Sequence, residues 1–244
     1  MDSSKREIFT PMKHANLTSA VDLFGKSYAL VRKNLNVYAL VYTVPAAMMI
    51  AGVIQVIADN QRHGWDWRHA FSLSFLGPNV GSGSSIDTAS AILSIVLLFG
   101  AIASYLMAVV LNLRVTQGSK PTLRSLWNDV TQNWLWAKLL GLGIVTIMLL
   151  IVGFVLLIVP GVIMLWRLFL APYILVDKKT KVFDALSISW NMTRGYAWPI
   201  YSIIGFSFVL ALAGIIPIIG SLVAFILATA YAAAPALRYQ ELKK

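Results

Sequence analysis

The stretch LLGLGIVTIMLLIVGFVLLIVPGVIMLWRLFLAPYILV, Leu139–Val176, is 38 residues long and carries a single charge, Arg167. As one straight helix it would measure roughly 57 Å, against a hydrocarbon core of about 30 Å. The chain must therefore cross a bilayer and come back. Pro160-Gly161 is the expected place for the turn, because proline interrupts the hydrogen-bond ladder and glycine tolerates the reversal. "IIPIIGS" (Ile215–Ser221) repeats the device nearer the C-terminus.

Outward from that hairpin the composition agrees. Hydrophobic residues make up 58% of the 244 and charged ones 12%, about half the charged share of a soluble domain; the mean hydropathy is +0.74. Six spans are expected, over 35–58, 89–113, 139–159, 161–176, 197–216 and 218–236, with a long outer loop over 59–88. Pro45 lies inside the first span, where neighbouring helices can satisfy the backbone group it frees. The fold class is thus all-α and polytopic. The chain has no cysteine, which removes disulfides, thiolate metal sites and cysteine nucleophiles.

The basic residues orient the spans. Six lie in the first 34 residues, four between spans two and three, four between spans four and five, and three at the C-terminus: seventeen of the twenty. The opposite side has Arg62 and Arg68. Basic residues collect on the cytoplasmic side, so both termini are expected there. The first span is too long for a signal-peptide core and reads as an uncleaved anchor. The net charge of +10 belongs to this belt, which excludes a nucleic-acid partner.

The segments leading into the odd-numbered spans look alike. "ALVRKNLNVYAL", "NDVTQNWLWAKL" and "WNMTRGYAWPIY" place Asn34, Asn133 and Gly195 in register, each followed by aromatics. Upstream, apolar residues recur with helical spacing: Leu17, Val21, Phe24, Tyr28 and Val31; Leu123, Trp127, Val130 and Trp134; Phe183, Leu186 and Trp190. Each set predicts an amphipathic helix in the headgroup plane. The even spans also align, with Leu111, Pro172 and Pro235 in register. The predicted unit is an interfacial helix plus a helical hairpin, used three times in parallel.

The run from Pro160 to Gly195 carries Pro160-Gly161, Arg167, Ala171-Pro172, a "LVD" ending at Asp177, and "DALSISW" before Arg194-Gly195. It resembles the signature of a prokaryotic group of six-span proteins. That group includes the YciC-like proteins and the membrane domain attached to some glycerophosphodiester phosphodiesterases. The resemblance implies the six-span fold and a prokaryotic cytoplasmic membrane. The six expected spans leave no room for a phosphodiesterase domain within these 244 residues, so no hydrolase activity is expected of them.

Arg167 is the first candidate site residue. It falls seven residues after Pro160, roughly 10 Å into the membrane, where an ionisable group is costly and a functional candidate by default. Two readings stand: a structural role, in which it snorkels toward the outer interface or is tied to backbone carbonyls exposed by Pro172 or to Gln55 or Asp59, and a contact with an anionic lipid or solute. Gln55 and Asn112 are the other polar residues available for a ligand or transport path. Lys26, Arg32, Lys33, Arg124, Lys178, Lys179, Lys181 and Arg194 form the expected belt for anionic headgroups, worth about 1 kcal/mol each near the surface.

Other motifs give less. His63, Asp66 and His69 do not share one helical face and have no fourth ligand, so neither metal nor cofactor is expected. "GPNVGSGSSID" (Gly77–Asp87) has no phosphate-binding spacing. Asp129 and Asp184 begin short helices, and neither has a paired acid or base for catalysis. Gly220, Ala224, Ala228, Ala232 and Ala236 form a small-residue stripe for close packing, within the bundle or in a homo-oligomer. The functional expectation is a non-enzymatic membrane protein of lipid or envelope homeostasis, contacting anionic lipid or a membrane-protein partner. A small anion transporter or channel is the alternative.

Overall fold

The computed structural model describes residues 17–63, 88–215 and 219–244, and among them the secondary structure is helical throughout, without a strand. The helices are α1 (Ala20–Lys33), α2 (Leu35–Val41), α3 (Thr43–His63), α4 (Thr88–Thr116), α5 (Leu123–Thr131), α6 (Leu135–Leu156), α7 (Ile158–Leu168), α8 (Ala171–Lys178), α9 (Val182–Met192), α10 (Ala197–Leu212), α11 (Ile219–Ala230) and α12 (Ala234–Lys243). Four stretches are long and apolar enough to cross a membrane: Ile95–Thr116, Leu123–Leu156, Val159–Lys178 and Ile219–Lys243. Counting the bent pairs α2–α3 and α9–α10 as one span each brings the number to six. This is the architecture of a multi-pass membrane protein.

Prolines place the breaks. Pro45, Pro160, Pro172, Pro199 and Pro235 all lie in the first three residues of a helix. A first-turn N–H has no partner within its own helix, so proline loses nothing there. Its ring does clash with the carbonyl four residues earlier, which ends the helix before it. Two features follow from this. The first span bends by 59° between α2 and α3, at Tyr42, one turn ahead of Pro45. The central hairpin reverses at Leu157, in an extended conformation (φ −166°, ψ 150°), and Pro160-Gly161 lie in the first turn of the returning helix. Gly161 serves close approach instead of the turn. A Cβ built on Gly153 would lie 3.0 Å from the Gly161 Cα, so α6 and α7 meet backbone to backbone.

The amphipathic helices have local signals of their own. Ser19 caps α1 by accepting from the Asp22 N–H, and the Asn34 side chain donates to the Leu30 carbonyl at its other end. Thr122 and Ser125 form a reciprocal capping box at the start of α5. Between α9 and α10 the chain turns through 108° at a corner containing Gly195, whose φ of +88° suits a residue without a side chain.

The buried faces of these helices differ from the expected stripes. On α1 the buried residues are Leu23, Ser27 and Val31, while Val21 and Tyr28 are exposed. On α5 they are Leu126 and Val130, with Leu123 and Trp127 exposed. On α9 they are Ala185, Leu186, Ser189 and Met192, with Phe183 and Trp190 exposed. Each helix has two apolar faces, one against the bundle and one aromatic and outward; the periodicity had merged them.

The core gathers at one end. It joins Val109–Val115 of α4, Leu168–Val176, Leu126 and Val130 of α5, and Leu135, Leu139 and Leu142 in the first turns of α6. Farther along, α6 exposes Ile144, Ile147, Met148, Ile151 and Val155, the last 80% accessible. Apolar surface on that scale matches lipid, not water. The densely packed end also holds most of the polar contacts and both described chain ends. It is called the polar end below.

Candidate functional site

Arg167 comes first because sequence reasoning singled it out. Its guanidinium donates from Nη1 to the Trp190 carbonyl oxygen at 2.8 Å, and Trp190 lies in the last turn of α9, where carbonyls have no helical partner. The guanidinium carbon sits 4.1 Å from the Trp166 ring centroid and 5.1 Å from that of Trp190. In return, the Ser189 hydroxyl donates to the Arg167 carbonyl at 2.7 Å, and Thr193 Oγ1 lies 3.4 Å from the same oxygen. Arg167 thus joins α7 to α9 through these hydrogen bonds. The carbonyl it meets belongs to α9 and not to the break at Pro172. The side chains of Gln55 and Asp59 lie outside the described residues.

The Ser189 contact has a counterpart. Ser27 of α1 donates to the Ala230 carbonyl at 2.7 Å and accepts from the Ala233 N–H at 3.1 Å. Arg167 and Ala230 each stand five residues before a helix-breaking proline, Pro172 and Pro235. In both places the break takes away the carbonyl's helical donor, and a fully buried serine from an amphipathic helix replaces it. The corresponding position in α4 has Leu111 in place of proline, α4 runs unbroken, and the α5 side chains buried against the bundle are Leu126 and Val130. This serine–proline pairing was absent from the sequence reading, which named Pro172 and Pro235 but neither serine.

Asn112 is buried, and its Oδ1 accepts from the Tyr38 hydroxyl at 2.8 Å. It serves the core of the polar end. The last small-residue stripe also packs inside the chain at one point: a Cβ on Gly214 would touch that of Ala224 at 3.5 Å. The eight belt cations are all exposed; among them Lys26 donates to Thr18 Oγ1 at 3.0 Å.

Other charges at the polar end are structural. Arg238 is 1% exposed and donates to Glu241 and to the Thr18 carbonyl, each at 2.7 Å, tying the two chain ends. Asp177, at the end of α8, accepts from Gln117 Nε2 at 2.9 Å and from Tyr239 Oη and Lys243 Nζ at 2.6 Å. One carboxylate thus gathers groups that follow α4, end α8 and lie in α12. Arg114 grips Asp129 with two hydrogen bonds, Nε–Oδ2 at 3.1 Å and Nη2–Oδ1 at 3.0 Å.

These last groups border a cleft of about 190 Å³ between the ends of α4 and α8 and the start of α6. Lys138, Lys179, Gln132 and Asn133 complete its polar lining. Lys179 holds a left-handed conformation (φ 51°), as do the neighbours Asn133 (φ 55°) and Trp134 (φ 56°). Asn accepts that region; Trp does so at a cost.

No family model, curated protein or solved structure matches the chain. The resemblance to the YciC-like group therefore rests on the residues of Pro160–Gly195 themselves. Among the described residues no group of His, Asp and Glu could hold a metal ion. The Gly77–Asp87 segment, Asp66, His69 and the side chain of His63 lie outside the described residues.

Proposed function

We propose that this is a non-enzymatic integral membrane protein of a prokaryotic cytoplasmic membrane, whose polar end faces the cytoplasm and engages anionic lipid headgroups. In this reading it has six spans, arranged as three units of an amphipathic helix plus a hairpin. Its role lies in membrane-lipid or envelope homeostasis.

The supporting observation is the double-faced character of α1, α5 and α9. Each buries one apolar face in the bundle and turns aromatics such as Tyr28, Trp127 and Phe183 outward, near exposed cations. A helix held in the headgroup plane needs that combination, and clustered cations draw anionic lipid to it. The recurrence of the serine–proline device in two of the units supports the threefold plan. The alternative of anion transport needs polar groups along a common path. Asn112, one of the groups available for it, is committed to Tyr38 in the core.

The test is the composition of the lipid shell. The protein is reconstituted in equal parts phosphatidylglycerol and phosphatidylcholine, cut out with a membrane-solubilising polymer, and its lipids quantified. Phosphatidylglycerol should be enriched over the bulk, with the enrichment falling as salt rises. A shell of bulk composition at low salt removes the reading.

A further inference from the structure

We propose that the cleft at the polar end is a binding site for the phosphate ester of an anionic, hydroxylated lipid headgroup. The inference rests on the lipid reading above and adds to it a place and a chemistry.

The acids of the cleft are already committed. Asp129 is held by Arg114, and Asp177 by Gln117, Tyr239 and Lys243. The cations Lys138 and Lys179 make no hydrogen bond or ion pair with any described residue. Lys138 is half-buried and stands fourth in α6. That is the wrong end for a cation, because the first turn of a helix is its positive pole. No side chain caps that end. The Lys138 ammonium and the first turn of α6, which no side chain caps and whose Leu135 N–H turns back to the Gln132 carbonyl, are both relieved by a single anion at the cleft that Leu135 and Lys138 line.

Position indicates where the anion comes from. Trp134 and Trp136 stack at 5.9 Å beside the cleft, and Trp134 is 70% exposed. Exposed tryptophans mark the membrane–water interface, so the cleft opens at the level of headgroup phosphates. Its volume of about 190 Å³ is well beyond the roughly 10–15 Å³ that one water needs by the same measure, which leaves room for a phosphate with a glycerol-sized head. The Gln132 and Asn133 amides can bond hydroxyls of such a head, whereas a choline would bring a third cation to Lys138 and Lys179.

The experiment is native mass spectrometry of the full chain, released from the mixed discs described above and stripped of lipid with increasing detergent. The wild type should hold phosphatidylglycerol and release phosphatidylcholine. Lys138→Gln should weaken retention about tenfold, as for one lost charged hydrogen bond, and Lys138→Arg should restore most of it. Circular dichroism of each variant checks that it is folded. Equal retention by Lys138→Gln and wild type overturns the proposal, and so does equal retention of phosphatidylcholine. If the shell is enriched in phosphatidylglycerol while Lys138→Gln has no effect, the cleft fails and the wider reading survives. An unenriched wild-type shell fails the wider reading itself. Soluble glycerol phosphate is the second arm: protection of the Leu135–Lys138 amides from exchange at concentrations matching the lipid's would make the ligand a free phosphate ester and overturn the lipid assignment.

Discussion

Replacing either capping serine by alanine should destabilise the bundle by removing a donor to a carbonyl that its own helix has abandoned. Ser27 and Ser189 are both 0% exposed, and each donates at 2.7 Å across two helices. The alanine keeps the Cβ, so little packing is lost and the hydroxyl is what is measured. An unsatisfied buried carbonyl costs about 1–3 kcal/mol in water-soluble proteins, while interhelical hydrogen bonds in membranes average nearer ~0.6 kcal/mol with a ceiling near ~1.7 kcal/mol. Ser189 has a standby, since Thr193 Oγ1 already lies 3.4 Å from the same oxygen. Ser27 has none and also accepts from the Ala233 N–H. The expected losses are about 1.5 kcal/mol for Ser27→Ala and about half that for Ser189→Ala. Equilibrium unfolding in mixed micelles, followed by circular dichroism, measures both. If Ser27→Ala is as stable as wild type, the capping argument is wrong. If Ser189→Ala is the more damaging, the reasoning about Thr193 is wrong.

Arg167→Leu should cost about 2 kcal/mol through the lost charged hydrogen bond to the Trp190 carbonyl and leave the copurifying lipids unchanged; a changed lipid profile in a folded variant would restore the ligand-contact reading. Asp177→Ala strands Gln117, Tyr239 and Lys243, and should speed hydrogen exchange in α12 by about tenfold or more, equivalent to ~1.4 kcal/mol. Unchanged exchange there would mean the carboxylate ties nothing down. Gly153→Ala places a Cβ 3.0 Å from the Gly161 Cα and should cost about 1–3 kcal/mol by overpacking. Gly143→Ala meets nothing within 4 Å and should be neutral or stabilising by up to ~1 kcal/mol; thermal unfolding of the two variants side by side decides.

The membrane class was readable from Leu139–Val176 because helix rise and bilayer thickness leave one outcome for 38 apolar residues. The central reversal was readable to within a turn, since proline acts on the residues ahead of it and the chain turns at Leu157, three residues before Pro160; the bend at Tyr42 was not, because Pro45 reads as tolerated inside its span. Arg167 was readable as an anomaly, but its partner was not. The carbonyl it meets lies 23 residues on, at the end of a helix whose approach depends on packing. The outward aromatics of α1, α5 and α9 were found together with one buried residue of each helix, Val31, Val130 and Leu186; the rest of the buried faces of α1 and α9 was missed in part because a serine at a fully buried position does not register as apolar. The serine makes sense once the proline in the neighbouring helix is known to have freed a carbonyl. Asp177 was legible only as the end of the "LVD" motif, and its partners come from parts of the chain about 60 residues away on either side.

The orientation of the polar end is the claim on which the lipid reading stands. With no cysteine in the chain, a single engineered one reports cleanly. Ser119→Cys, just beyond the α4 terminus, should resist a membrane-impermeant maleimide in intact bacterial cells and react once the cells are permeabilised. Labelling of intact cells at Ser119→Cys would place the cationic end outside and contradict the account.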